Sequence, residues 1–528
     1  MRHPLIRTGV VALAALGSIM ATGSAPAQTV LSDYESADQA KKAQANAAWR
    51  LAFRPGLQVM DQAVAMLGRG GKLPAAEQAR LEALVAQART SPEPEARRLL
   101  WQAVSLLLGR PWNPDQEMLG ALALRAAQPV IMESRTAVTL AGLYPAASRP
   151  DLRFSLDLVQ AVQTSSATPQ RGTVVRQLAS GTVTGTLPQS IPVDLTGVVD
   201  GFYILIARIT GADGVEGELA QPLHVQQGLD TRHAALQTRL AKVGGHEEAK
   251  LAAEYPFALA KALNEGTREV ISYDFNAALR RSEEIADALS QGRDIVRRAT
   301  GLQNRAYRFA ETGELVPYQV YVPRNWTADR KWPVVVALHG ANLDETNMLG
   351  RANGAMQALA EARGYIVVAP LGYRINSGYG SPRGIASALG IDPVRLRRSQ
   401  ADVLAVVDRV AAEYNTDPAR TYLTGNSMGG GGTWWIGGQY PDRWAAIAPV
   451  AFGGVRPEDV PGLSRVPVLA VVGDRDELGM LDRVKDAVGV LRAGGVQPDY
   501  LEITGGTHAS GFDIALPQIF DFFEKHRK

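Results

Sequence analysis

The chain has 528 residues, with 55 Lys and Arg against 53 Asp and Glu, a formal net charge of +2, and no cysteine. That balance gives no electrostatic reason to expect a nucleic-acid partner, and no dense basic cluster stands out. The lack of cysteine excludes disulfides, a thiol nucleophile and thiolate metal sites, and the length calls for more than one hydrophobic core.

Residues 1–27 read as a secretory signal. Arg2, His3 and Arg7 open it, GVVALAALGSIM is its apolar centre, and Ala25-Pro26-Ala27 offers small residues for cleavage. The apolar centre is too short to span a bilayer, which needs about 20 residues. Cleavage after Ala27 and a bacterial secreted or periplasmic location are therefore expected. Residues 28–130 form a predicted helical region: AAEQARLEALVAQAR and EARRLLWQAVSLLLG carry apolar positions at helical spacing. Gly70-Gly71 and Pro92, Pro94, Pro111 and Pro114 break it and argue against a long coiled coil. Residues 131–228 are β-rich, with Leu152, Phe154, Leu156 and Leu158 alternating as in a half-buried strand. A small β-sandwich is expected there. Helical spacing returns at 229–304 as a connector. From 305 to 528 apolar runs such as WPVVVALHG, YIVVAP, TYLTGNS and VPVLAVVGDRD alternate with helical segments. That is the pattern of a mostly parallel sheet with helices on both faces, whose chemistry sits at the carboxyl ends of the strands. In SQADVLAVVDRVAAEY, Ser399 is the expected helix cap.

The run YLTGNSMGGGGTWW places a serine between a buried strand and four glycines. Gly425-Asn426-Ser427-Met428-Gly429 fits G-x-S-x-G, a sharp strand-to-helix elbow that presents the serine oxygen and nearby backbone N–H groups. A serine hydroxyl needs a base. Behind such an elbow the partners follow in the order serine, acid, histidine. Only His508 and His526 follow Ser427; His526 lies in a charged tail, so His508 is the base. The acid emerges from VPVLAVVGDRDELG: Asp476 is preferred and Asp474 is the runner-up, the spacing leaving both open. Met428 N–H is one expected oxyanion donor, and Ala341 N–H, after LHG, is the other. His339 is expected to shape that loop. Tyr373, Arg374 and Tyr379 in LGYRINSGYGSPRG are candidate pocket-wall residues, as is Trp434 after the elbow, where helix packing is expected for at least one of Trp434 and Trp435. No H-E-x-x-H or similar ligand spacing occurs, so neither metal nor cofactor is expected.

LVPYQVYVPRNWTADRKWPVVVALHGAN, DPARTYLTGNSMGG and YPDRWAAIAPV resemble the α/β-hydrolase branch of secreted carboxylesterases and predicted peptidases. They are also similar to polyhydroxybutyrate-depolymerase-like and feruloyl-esterase-like enzymes. The resemblance covers roughly 310–528. It implies an ester-cleaving serine hydrolase with Ser427, His508 and Asp476 at the triad positions, and an immunoglobulin-like domain in the β-rich stretch. A small-molecule or polymeric ester is the implied partner. Two alternatives stand beside it. One is a serine peptidase of prolyl-oligopeptidase type, which would carry a β-propeller. The other is a non-catalytic polymer- or envelope-binding protein that keeps only the fold.

Overall fold

The computed structural model describes residues 37–68, 73–146, 152–162, 169–211, 215–270 and 273–528. The expected signal segment and the Gly70-Gly71 break lie outside the described residues. Five helices come first: α1 (Ala37–Ala52), α2 (Leu57–Gly68), α3 (Ala75–Thr90), α4 (Glu93–Leu107) and α5 (Pro114–Ala121). Pro74, Pro92 and Pro114 stand at the starts of α3, α4 and α5, where a missing N–H costs nothing. The Asn113 side chain caps α5 by accepting from Gln116 N–H at 2.9 Å.

Eight strands follow: β1 (Leu122–Ala126), β2 (Val130–Ile131), β3 (Arg135–Gly142), β4 (Arg153–Val162), β5 (Gln170–Thr182), β6 (Gln189–Asp194), β7 (Gly201–Thr210) and β8 (Glu216–Val225). They make a three-stranded sheet, β1-β3-β6, and a five-stranded sheet, β2-β8-β7-β4-β5. Strand structure thus begins before the expected boundary at 131. The helical region and the β-rich stretch pack together. Leu51, Leu99 and Val104 from the helices share one buried cluster with Leu140, Leu158 and Leu205 from both sheets. The other face of β7, with Ile204 and Ile206, packs with Ala52, Trp49 and Phe53 of α1 and its end. That double burial explains the unbroken apolar run YILIA in β7.

The connector is α6 (Leu229–Leu240), α7 (Glu247–Asn264) and α8 (Phe275–Ser290), joined around Leu236, Phe257, Phe275 and Leu279. The last sheet then starts at 301, slightly ahead of the expected 305. In chain order its elements are β9 (Gly301–Arg308), β10 (Leu315–Val322), β11 (Trp332–Leu338), α9 (Asn347–Arg363), β12 (Ile366–Pro370), α10 (Ile385–Leu389), α11 (Pro393–Tyr414), β13 (Thr416–Asn426), α12 (Met428–Gln439), β14 (Ala446–Val450), β15 (Leu469–Gly473), α13 (Met480–Ala493), β16 (Asp499–Ile503) and α14 (Ser510–Glu524). The sheet order is β16-β15-β14-β13-β11-β12-β10-β9. Strands β11 to β16 run parallel, and β9 and β10 pair antiparallel. This is the α/β-hydrolase arrangement. All seven residues of β11 are buried, as a strand covered on both faces requires. From β11 the chain goes to β12 on one side and later to β13 on the other, so the switch of direction falls where β13 ends.

One cap is corrected. Asp392, not Ser399, caps α11, accepting from Arg395 N–H at 2.9 Å. Ser399 lies buried inside the helix, and its Oγ accepts from Tyr379 N–H at 3.1 Å. Among the described residues the strands form three sheets, with no repeated four-stranded blade. No helix among them is long and apolar enough to cross a membrane.

Candidate active site

Ser427 sits between β13 and α12 with φ 58° and ψ −118°, a left-handed backbone that a non-glycine residue adopts only when its surroundings impose it. Two hydrogen bonds impose it here. Ser427 N–H donates to Val450 O at 2.9 Å, and Gly431 N–H donates to Ser427 O at 3.0 Å. The flanking glycines make room. A Cβ on Gly425 would lie 2.5 Å from Gly429 O, and one on Gly429 would lie 2.1 Å from Leu338 O. The elbow can therefore form only with glycine at both places. Met428 is the first helical residue, so its N–H has no intrahelical acceptor. Gly340, just before Ala341, lies against the serine: a Cβ there would be 3.6 Å from Ser427 Cβ.

His339 ties this loop down. It is fully buried, and its ring nitrogens lie 2.8 Å from Gly340 O and 2.9 Å from Leu371 O. Its N–H donates to the Tyr379 hydroxyl at 3.2 Å. Asn342 and Asn376 complete the anchorage: Asn342 N–H donates to Asn376 Oδ1 at 2.8 Å, and Asn376 Nδ2 to Asn342 Oδ1 at 2.8 Å. None of these ties involves Ala341 N–H. Burial pushes the His339 pKa down.

His508 lies in the irregular segment between β16 and α14. Its Nδ1 is 2.8 Å from Asp476 Oδ2. The other Asp476 oxygen accepts from Leu478 N–H at 2.9 Å, which holds the carboxylate at the end of β15. Asp474 faces elsewhere and accepts from Gly505 N–H at 2.7 Å. His508 Nε2 is buried and has no hydrogen-bond partner. The His508 peptide stands beside the elbow: Asn426 Nδ2, next to Ser427 in the chain, donates to His508 O at 3.3 Å. His526 is apart, its ring bonded to Phe522 O at 2.8 Å.

The candidate pocket-wall residues have partners within the fold. Arg374 makes a two-pronged pair with Glu314 at 2.8 and 3.1 Å and stacks on the Tyr373 ring at 4.0 Å. Tyr373 is buried, with its N–H on Asp402 Oδ2 at 2.8 Å. Trp434 is 1% exposed, and its Nε1 donates to Phe452 O at 3.3 Å. These side chains are committed to packing and pairing. Asp402, which also accepts from Tyr307 OH at 2.5 Å, has its pKa raised by burial to about 6. Glu345, at the far end of the Ala341 loop, is pushed up to about 8 by burial and then by Asp344. Asn426 and Glu477 also touch His508, and sequence reasoning did not single them out. The signal was adjacency alone: each neighbours a triad candidate in the chain.

Among the described residues no group of three or more His, Asp or Glu is arranged to hold a metal ion. What the described residues present is a serine in an elbow, an imidazole oriented by a carboxylate and, next to the serine, the N–H of Met428 at a helix start, parts that serve acyl transfer.

Residues 310–461 match the family described as "Putative esterase". That span includes Ser427 and ends before Asp476 and His508. The chain is 27% identical over 163 residues to a bifunctional acetylxylan esterase/xylanase from Neocallimastix patriciarum, covering 30% of this chain and 21% of that protein. It is 33% identical over 136 residues to poly(3-hydroxyalkanoate) depolymerase C from Paucimonas lemoignei, covering 25% of this chain and 30% of that one. The chain thus spans under a third of the length of either relative. Among solved structures, a thermostable esterase aligns with a TM-score of 0.37 at 16% identity, over 77% of this chain and all of that one. A ferulic acid esterase from Anaeromyces mucronatus aligns at 0.34 and 18% identity, over 43% and 90%.

Proposed function

We propose that the protein is an exported serine esterase acting through an acyl-enzyme. One observation carries the reading: the buried, unpartnered His508 Nε2, with Nδ1 on Asp476, in a segment whose peptide is held by Asn426, the neighbour of a serine in an elbow. In this reading Ser427 Oγ attacks the ester carbonyl carbon as His508 Nε2 takes its proton. The carbonyl oxygen becomes an oxyanion between the N–H groups of Met428 and Ala341. Asp476 holds Nδ1–H and steadies the imidazolium. The tetrahedral intermediate collapses, the alcohol leaves with the proton from Nε2, and Ser427 keeps the acyl group. Water, activated by His508, then releases the acid and frees the serine.

The esterase match over 310–461 supports ester rather than amide cleavage. The charged start, short apolar centre and Ala25-Pro26-Ala27 support export. The names of the two relatives point to acetylxylan and poly(3-hydroxyalkanoate) as the first substrates to assay.

Ser427→Ala and His508→Ala each remove most hydrolysis of a short-chain nitrophenyl ester, and His526→Ala does not. The double variant loses little more than either single one, because triad members act as a unit. Steady-state assays beside matched nitroanilides test the reaction, and assays of periplasm and culture fluid test export. Full activity in Ser427→Ala would overturn the mechanism, and faster amide than ester cleavage would overturn the substrate class.

A further inference from the structure

We propose that Asn426 and Glu477 are positioning residues that grip the His508 peptide from two sides and so aim its imidazole; this rests on the serine-esterase reading above. The segment from Thr504 to Ala509 has no regular structure and contains Gly505 and Gly506. Such a segment has much backbone freedom to lose before it can present a side chain accurately. The Asp476–Nδ1 bond fixes one ring atom, but it leaves the ring free to swing about that contact. The main chain beneath the ring must be held separately.

Four ties hold it. Asp474 accepts from Gly505 N–H at 2.7 Å, and Arg351 donates to Ala509 O at 2.6 Å, fixing the two ends. At His508 itself, Glu477 Oε2 accepts from the N–H at 3.0 Å, and Asn426 Nδ2 donates to the carbonyl at 3.3 Å. The two grips come from opposite partners of the reaction. Asn426 directly precedes Ser427 in the elbow, and Glu477 directly follows Asp476. Nucleophile, base and acid are thereby locked to one another through the base's own peptide. Asn426 is buried, so water does not readily replace its bond, and Glu477 is exposed, so its removal leaves the core intact. A displacement of about 1 Å between reacting groups costs on the order of a hundredfold in rate. Losing one grip therefore lowers turnover without touching substrate binding.

The experiment uses the full chain and counts working sites by fluorophosphonate stoichiometry, so that kcat is expressed per titrated serine. Asn426→Ala is expected to lower that kcat about 10- to 100-fold with KM close to wild type, and Glu477→Ala to lower it by a smaller factor, since water reaches the exposed His508 N–H. Glu477→Gln keeps most of the wild-type value, since its amide oxygen can still accept from His508 N–H. Ser427→Ala is run alongside. If it still hydrolyses the ester, the underlying reading fails. If it is dead while Glu477→Ala turns over like wild type per titrated serine, the positioning role alone fails. A loss of titratable sites with unchanged kcat per site also overturns it, because that is mere folding. If Glu477→Gln is as slow as Glu477→Ala, the side chain acts by charge rather than by holding the peptide, and the proposal is wrong.

Discussion

Two aspartates two positions apart divide the work at the end of β15. Asp476 accepts from the His508 ring through one oxygen and from Leu478 N–H through the other. Asp474 accepts from Gly505 N–H, in the segment that carries the histidine. Asp476→Asn keeps the shape, but its amide group favours the wrong imidazole tautomer, so kcat falls by roughly two to four orders of magnitude. Asp474→Asn retains an oxygen that can accept from Gly505, and loses less than about tenfold, in keeping with a single neutral hydrogen bond of ~1 kcal/mol. Initial rates on a nitrophenyl ester, with circular dichroism to check folding, compare the two. A dead Asp474→Asn beside an active Asp476→Asn would reverse the assignment. The residue types at 474 and 476 were legible from the chain. Their division of labour was not, because it depends on where the 504–509 segment returns.

At the scale of elements, α12 poses the hardest question: a helix whose first residue, Met428, is followed by four glycines. Each glycine costs about 1 kcal/mol of helix propensity relative to alanine. Space is what they provide. A Cβ on Gly430 would lie 2.3 Å from Val450 O, and one on Gly432 would lie 2.5 Å from Tyr379 Cβ. A Cβ on Gly431 would have its nearest neighbours in the Phe452 ring, the first at 2.8 Å. The helix can lie this close to β14 and to the Tyr379 turn only without side chains. Gly430→Ala meets backbone that cannot move and destabilises by about 3 kcal/mol or more. Gly431→Ala meets a ring that can turn and regains helix propensity, leaving stability within about 1 kcal/mol of wild type. Denaturant midpoints of the two variants test this; equal losses would show that the backbone contact does not decide. The capping of α11 carries a similar lesson. Ser399 has the chemistry of a cap, yet Asp392 opens the helix two turns earlier, and the serine is used inside to hold Tyr379.

Across the whole molecule, the connector bears on the catalytic sheet. Arg268 donates to Tyr373 O at 3.2 Å and to Leu315 O at 2.8 Å. Arg305 of β9 pairs with Glu413 of α11 at 2.9 Å and with Glu248 of α7 at 3.8 Å. Glu345 lies where the connector meets the loop bearing Ala341. Burial and Asp344 raise its pKa to about 8, Asp402 adds to that, and Arg268 opposes it. Tyr255 of α7 and Tyr273 before α8 stand close enough that Glu345's charge, after burial, raises their own pKa values. The folded protein thus keeps a proton that the unfolded chain releases above about pH 4.5. Glu345 therefore takes stability away as pH climbs from the unfolded value towards 8. Glu345→Gln cannot ionise, so its Tm should match wild type near pH 5 and exceed it by several degrees near pH 9. Thermal melts at the two pH values decide; a gap that does not widen with pH would rule this out.

The strands β11, β12, β13 and β15 of the last sheet, the elbow at Ser427 and the candidate base were legible locally, from unbroken apolar runs, a five-residue motif and the order of residues along the chain. Periodicity and motif chemistry depend on neighbours in sequence, so they survive without knowledge of the fold. The shared core of the first five helices and the two sheets was decided only in three dimensions, since Leu51 and Leu158 are apolar in either arrangement. So were the pairing of the His508 ring with Asp476 rather than Asp474, the partners of Tyr373, Arg374 and Trp434, and the contacts of Asn426 and Glu477 with His508. In each case the deciding partner is distant in sequence, and a side chain's composition does not say which partner the fold will bring to it.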